Sequence, residues 1–160
     1  MIPNANNDYP KSLDEEKACV SACLQQRSIA AAALEVAQLR DFEDAECRAI
    51  AQEIGRQPDA DHVEIAHAVA ASGQMTFNEA KVFLAELMTI ECSGARAIEH
   101  ATAVHEAAQC RHLVTIAKNL AAEAQASSVS SNDLVERYGT EILGLLEGAT
   151  GTPVQLVGDV

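Results

Sequence analysis

Cysteine and histidine have the widest chemical range of any side chains in this 160-residue sequence, and it holds five of each. Cys19 and Cys23 stand four apart, so one helix face would carry both thiols. A metal site asks for two further ligands, and no Cys-x-x-Cys or His-x-x-x-His accompanies the pair. Small apolar side chains in a core is the reading these cysteines support. His62 and His67 are five apart and would point to different faces of a helix. His105 and His112 share a face but lie two turns from each other, which suits solvated or interface histidines better than ligands. Two acidic clusters, Asp14-Glu15-Glu16 and Glu43-Asp44-x-Glu46, could be taken for acid–base pairs. Each sits where a helix begins, and the macrodipole favours negative charge there without any catalysis. The Gly-rich stretch Gly148-Ala149-Thr150-Gly151 has neither the Lys nor the preceding strand of a phosphate-binding loop. No Ser/His/Asp or Cys/His set has a supporting context. The expectation is of no catalytic, cofactor-binding or metal residues. A small helical enzyme or metal protein using these Cys and His residues would be revived by stoichiometric zinc in protein purified without chelator.

Composition narrows the classes further. The formal net charge is −13. Affinity for nucleic acid comes largely from Lys and Arg on phosphates, so tight DNA or RNA binding by this chain alone is not expected. An acidic surface suits a protein partner of basic character. The polar opening MIPNANNDYPKS has no apolar export region, and no run of about 18 apolar residues is long enough to span a membrane. With an odd number of cysteines, the chain reads as a reduced cytoplasmic protein with free thiols and no membrane partner. Apolar residues make up 48 % but aromatics only 3 %. Ala must fill much of the interior, and helices must approach closely to use it.

The elements that would position these residues are all helical. Residues 1–9 read as a disordered tail. Ser12-Leu13-Asp14-Glu15 is a capping box opening a helix over 12–26. An Ala-rich helix over about 28–39 follows. Asp41 or Asp44 caps a helix over about 43–55, which stops at Gly55. Asp61 caps a helix reaching Ala71. Thr76-Phe77-Asn78-Glu79 is a second capping box, for a helix to about Ile90 with Val82, Phe83 and Leu87 as its buried stripe. Ala95 to Ala126 then contains neither Gly nor Pro. As one helix it would be about 48 Å long at roughly 1.5 Å per residue, more than the rest of the chain can cover. Ser130 or Ser131 caps a last helix to about Glu147, with Leu134, Tyr138, Ile142 and Leu145 spaced as a stripe.

The expected fold class is all-α: a small helical globular head over residues 10–93, then an antiparallel helical hairpin over 94–147, with 148–160 as an exit segment. Ile98, Val104, Arg111, Leu134, Tyr138, Ile142 and Leu145 are the expected hairpin residues at an interface with a second copy. A charge at Ile142 is expected to weaken both the hairpin and any dimer.

The order of landmarks resembles a known family. Pro10-x-Ser12-x-x-x-Glu16 opens the first helix. Asp41-Phe42 and Arg48-x-Ile50 follow, then Asp61-x-Val63-x-Ile65. A turn containing Gly73 precedes Phe83-Leu84 and Leu87, the long helix carries Arg111-x-Leu113, and Asp133-Leu134 begins the last helix. In order and spacing, over about residues 10–147, the chain resembles the N-terminal domain of DnaB-type replicative DNA helicases. It departs from the family pattern at Glu15, Val20-Ser21, Glu43, Cys47 and His100, which marks a divergent member. Pro10, Glu16, Asp41, Phe42, Arg48, Ile50 and Asp61 are the landmark residues. The resemblance implies the collar of a hexameric ring involved in DNA replication. It implies self-association as a dimer or ring, docking of primase and, in some systems, of a loader, and DNA contact only through the full-length ring. ATP and Mg are implied only for the ATPase domain of an ATP-dependent 5′–3′ helicase, which follows this module in the family. Residues 151–160 resemble the approach to the linker. The expectation is a piece of a longer helicase rather than a gene for the collar alone. A stand-alone collar mimic or regulator that binds replication proteins is the alternative.

Overall fold

A computed structural model describes residues 13–150, with side chains placed for 13–146. Pro10, the Ser12 cap, the expected tail and the exit segment past Thr150 lie outside the described residues. Among the described residues every regular element is helical: α1 Leu13–Gln25, α2 Arg27–Val36, α3 Ala45–Arg56, α4 His62–Ala71, α5 Phe77–Met88, α6 Ala97–Ala126 and α7 Ser131–Thr150, with 3-10 turns at Leu39–Asp41 and Gly94–Arg96. None of these helices is long and apolar enough to cross a membrane.

The caps explain where the helices begin. The Asp44 side chain accepts from the Cys47 amide and starts α3. Asp61 with Glu64, and Thr76 with Glu79, form reciprocal capping boxes for α4 and α5. Each satisfies two amides that the helix itself leaves without partners. For α7, Ser130 Oγ accepts from the Asp133 amide at 3.2 Å. The Ala-rich α2 ends at Val36, three residues before the expected limit, because Gln38 and Asp41 form a capping box of their own around the next turn.

The chain divides into two compact units, one ending at Ala108 and the other beginning at Gln109. The core of the first is drawn from α1 to α5 and the start of α6. α1 runs through its middle, burying Cys19, Val20, Ala22, Cys23 and Leu24, and touches α2, α3 and α5. Phe42, Ile50, Ile54, Ile65, Val69, Phe83, Leu84 and Leu87 fill the spaces around it. Along α5 the buried stripe includes Leu84 in place of the expected Val82, which is 68 % exposed. Gly94 lies against α1's end so closely that a Cβ there would fall on the Gln26 side chain, so only glycine fits the turn.

The head does not stop at residue 93. Ala97, Ala101 and Val104 on α6 are completely buried in the same core, and Ile98 packs against it. The break at Gly94 marks a change of element, not a change of core. Residues from Gln109 onward form the second unit, an antiparallel pair. Glu123 meets Arg137 and Tyr138, His112 faces Glu141, and Gln109 meets Leu145, so partners rise in number along α7 as they fall along α6.

Candidate functional site

Most of the sequence landmarks converge on one segment of the head, residues 39–44. Glu16 is fully buried, and its two carboxylate oxygens accept from the amides of Glu43 at 2.6 Å and Asp44 at 3.0 Å. Asp41 accepts from the Gln38 amide and from His105 Nδ1, at 3.0 and 2.9 Å. The carbonyl of Phe42 takes Nε and Nη2 of Arg48, at 3.2 and 2.7 Å, while the Phe42 ring enters the core with Ile50. Charged residues survive burial when their lone pairs are satisfied in this way. These groups hold a connection in shape, and each has a structural partner rather than an open face. Asp61 serves as the N-cap of α4.

The thiols and imidazoles take similar parts. Cys19, Cys23 and Cys47 are buried, Cys92 is half-buried and Cys110 is exposed. A hydrogen bond between Cys19 and Cys23 pushes the Cys19 thiol well up and the Cys23 thiol down; burial holds Cys47 high. Cys19 and Cys47, held protonated, are poor nucleophiles. Among the described residues no group of three or more His, Cys, Asp or Glu is placed to hold a metal. His67 stacks on Phe77 with ring centroids 4.3 Å apart. His100 places Nδ1 2.7 Å from Glu15. His105 belongs to the head and His112 to the hairpin, so their shared helix face serves two different surroundings.

The second unit is built differently. Its buried apolar residues are Ile116, Leu134 and Tyr138, flanked by the half-buried Leu120, Val129 and Leu145. A polar lock closes its tip. Glu123 accepts from the Tyr138 hydroxyl and from Arg137 Nη1, both at 2.8 Å, and the Arg137 guanidinium lies 5.7 Å from the Tyr138 ring centroid. The hydrogen bond to Glu123 holds the Tyr138 phenol above its usual range.

Of the seven residues expected at an interface, Val104 is buried inside the head and so closed to a second chain, and Ile98 packs on the same core. Arg111 is half-buried in the hairpin, with its carbonyl accepting from Thr115 Oγ1. Leu134, Tyr138 and Leu145 turn inward to α6. Ile142 does not join that seam and is 40 % exposed. It belongs to a second stripe that sequence reasoning missed: Val135, Leu143 and Leu146 are 73 %, 53 % and 53 % exposed. At 100° per residue, Val135, Gly139, Ile142, Leu143 and Leu146 project from one arc of α7 about 100° wide. The signal was present, since apolar residues at 142, 143, 145 and 146 fit two overlapping helical stripes. Periodicity cannot say which of the two meets α6. Large exposed apolar residues grouped on one face mark contact with another molecule more often than scattered ones do. Comparison with protein-family models and with curated protein sequences finds no match.

Proposed function

We propose that this chain is an assembly module that self-associates through the exposed arc of α7, and that it serves as the N-terminal collar of a DnaB-type replicative helicase. One observation carries the first part: four large apolar side chains share one face of α7, on a hairpin whose own core has three buried residues. Fully burying a Val, Leu or Ile contributes about 1.5–3 kcal/mol, so covering that arc offers several kcal/mol before the costs of association. The collar reading rests on the order and spacing of the landmarks, and the acidic composition favours docking of basic protein partners such as a primase or a loader over direct binding of DNA. In this reading the fragment carries no ATPase chemistry; it organises a motor whose ATP and Mg sites lie in a following domain.

Sedimentation velocity tests the assembly. The chain is expected to associate with concentration, and Leu143→Asp is expected to return it to monomer while its helix content is unchanged, because that side chain is 53 % exposed and lies outside the hairpin core. A monomer at all concentrations, or an associated Leu143→Asp variant, overturns the use of this face. Calorimetric titration with the primase of the same genome tests the collar separately. Saturable binding supports it and the absence of heat counts against it.

A further inference from the structure

The face that α5 turns to solvent is not a plain polar one. Helical spacing places Asn78, Glu79, Val82, Phe83 and Glu86 on one arc of it. With Glu46 from the first turn of α3, these residues line a groove of about 350 Å³. Phe83 is almost buried in the head core and gives the groove an apolar floor, while Val82 stands 68 % exposed. The other lining side chains are one amide and three exposed carboxylates. Glu79 uses one carboxylate oxygen to accept from the Thr76 amide, at 2.8 Å. Glu86 holds Lys17 Nζ at 2.9 Å. That hydrogen bond raises the Lys17 ammonium above its ordinary pKa, and Asp44 acts in the same direction, as an acidic field does to a cation. Lys81, although next to Val82 in sequence, lies over the Phe77 ring, 5.5 Å from its centroid, and does not line the groove.

We propose that this groove docks a basic amphipathic helix of a partner protein, with an apolar side chain seated on Val82 and Phe83 and Lys or Arg reaching Glu46, Glu79 and Glu86. Charge complementarity names the occupant. A second copy of this chain, at −13, brings like charge to the groove, and so do the phosphates of a nucleic acid. The carboxylates come from both helices that line it, Glu46 from α3 and the other two from α5. Glu79 and Glu86 are seven residues apart, about 10 Å along the helix axis, a distance that basic residues two turns apart on a docking helix match. The form of the occupant follows from the walls. Among the described residues there is no strand whose edge an extended peptide could join, whereas a groove between helices takes the apolar face of another helix. The site lies wholly within the head. It depends on neither the helicase reading nor the exposed arc of α7.

Fluorescence anisotropy tests it, with the whole chain below any concentration at which it associates. The probe is a labelled synthetic helix carrying leucines on one face and lysines on the other. Saturable binding of one peptide per chain is expected. Glu46→Gln with Glu86→Gln should weaken it by at least about fivefold. Removing the same charge elsewhere on the head, by Glu35→Gln with Asp59→Asn, should change it by less than about twofold. Val82→Asp separates anchoring from plain attraction. It makes the groove more acidic, which by itself would tighten a basic peptide, yet loss of the apolar seat should weaken binding about tenfold. Leu143→Asp should leave binding as it is. The groove is overturned by the absence of saturable binding, by equal weakening in the two charge-removed chains, or by Val82→Asp binding as tightly as the native chain. Loss of binding in Leu143→Asp also overturns it, because the peptide is then seated on α7. Every substituted side chain is exposed, so none of these variants threatens folding.

Discussion

The head and the hairpin are built from the same Ala-rich helical material and solve the burial problem in opposite ways. In the head, α2 to α5 and the first turns of α6 pack with α1 into one core, and even the carboxylates of Glu16, Asp41 and Glu53 are enclosed with hydrogen-bond partners. In the hairpin two helices meet along one line. Ile116, Leu134 and Tyr138 are covered, and a polar group, Glu123, supplies much of the registration. A layered core can absorb apolar surface from many directions, whereas a two-helix pair has an inside only along its seam. The hairpin therefore leaves apolar surface grouped on one face of α7, whereas in the head Val63 and Val82 stand exposed on different helices.

The contrast can be broken at several points. The largest effect is expected from Ile50→Ala, at a fully buried position in the head. The cavity should cost about 3 kcal/mol, read as a lower urea midpoint and as faster exchange over α3. Retained protection in the hairpin would sharpen the division into two units, and an equal loss in both would break it. Leu134→Ala follows, at about 2 kcal/mol, because one edge of that residue already reaches solvent. Its effect should stay within 109–146. Spread into the head would contradict separate cores. The smallest effect concerns pH. In the folded state Tyr138 titrates above the ordinary phenol value of 10.0, chiefly through its hydrogen bond to Glu123. A group raised on folding stabilises below its unfolded value, and the contribution disappears as pH rises through the folded one. Hairpin protection, corrected for intrinsic exchange, should thus be flat from neutral pH to about 10 and fall above it. A Tyr138→Phe chain should lack that fall; if it shows the same one, Tyr138 is not its source.

Helix starts were the most legible part of the sequence. Asp44, Asp61, Thr76 and Ser130 each cap a helix, since a cap is a local event between residues three apart. Burial was less legible. Val82, Phe83 and Leu84 are consecutive, so helical periodicity alone allows more than one face, and the structure buries the last two. The limit between the units was hidden for a related reason. Ala97, Ala101 and Val104 serve one core and Ile116 another, on a single helix with no Gly or Pro between them. A helix carries no local mark where the neighbours that cover it change. The exposed arc of α7 is the same problem again, because two stripes satisfy one period and only tertiary pairing selects between them.

The distribution of the cysteines gives the molecule an internal clock. Cys19, Cys23 and Cys47 are sealed in the head, whereas Cys110 stands open in the hairpin. A thiol reagent would tag Cys110 at the chemical rate of the reagent, the half-buried Cys92 more slowly, and would reach Cys19, Cys23 and Cys47 only as fast as the head opens. One labelling time course, resolved by mass, thus records the surface reaction and the breathing of the core side by side, without a probe being added to the chain.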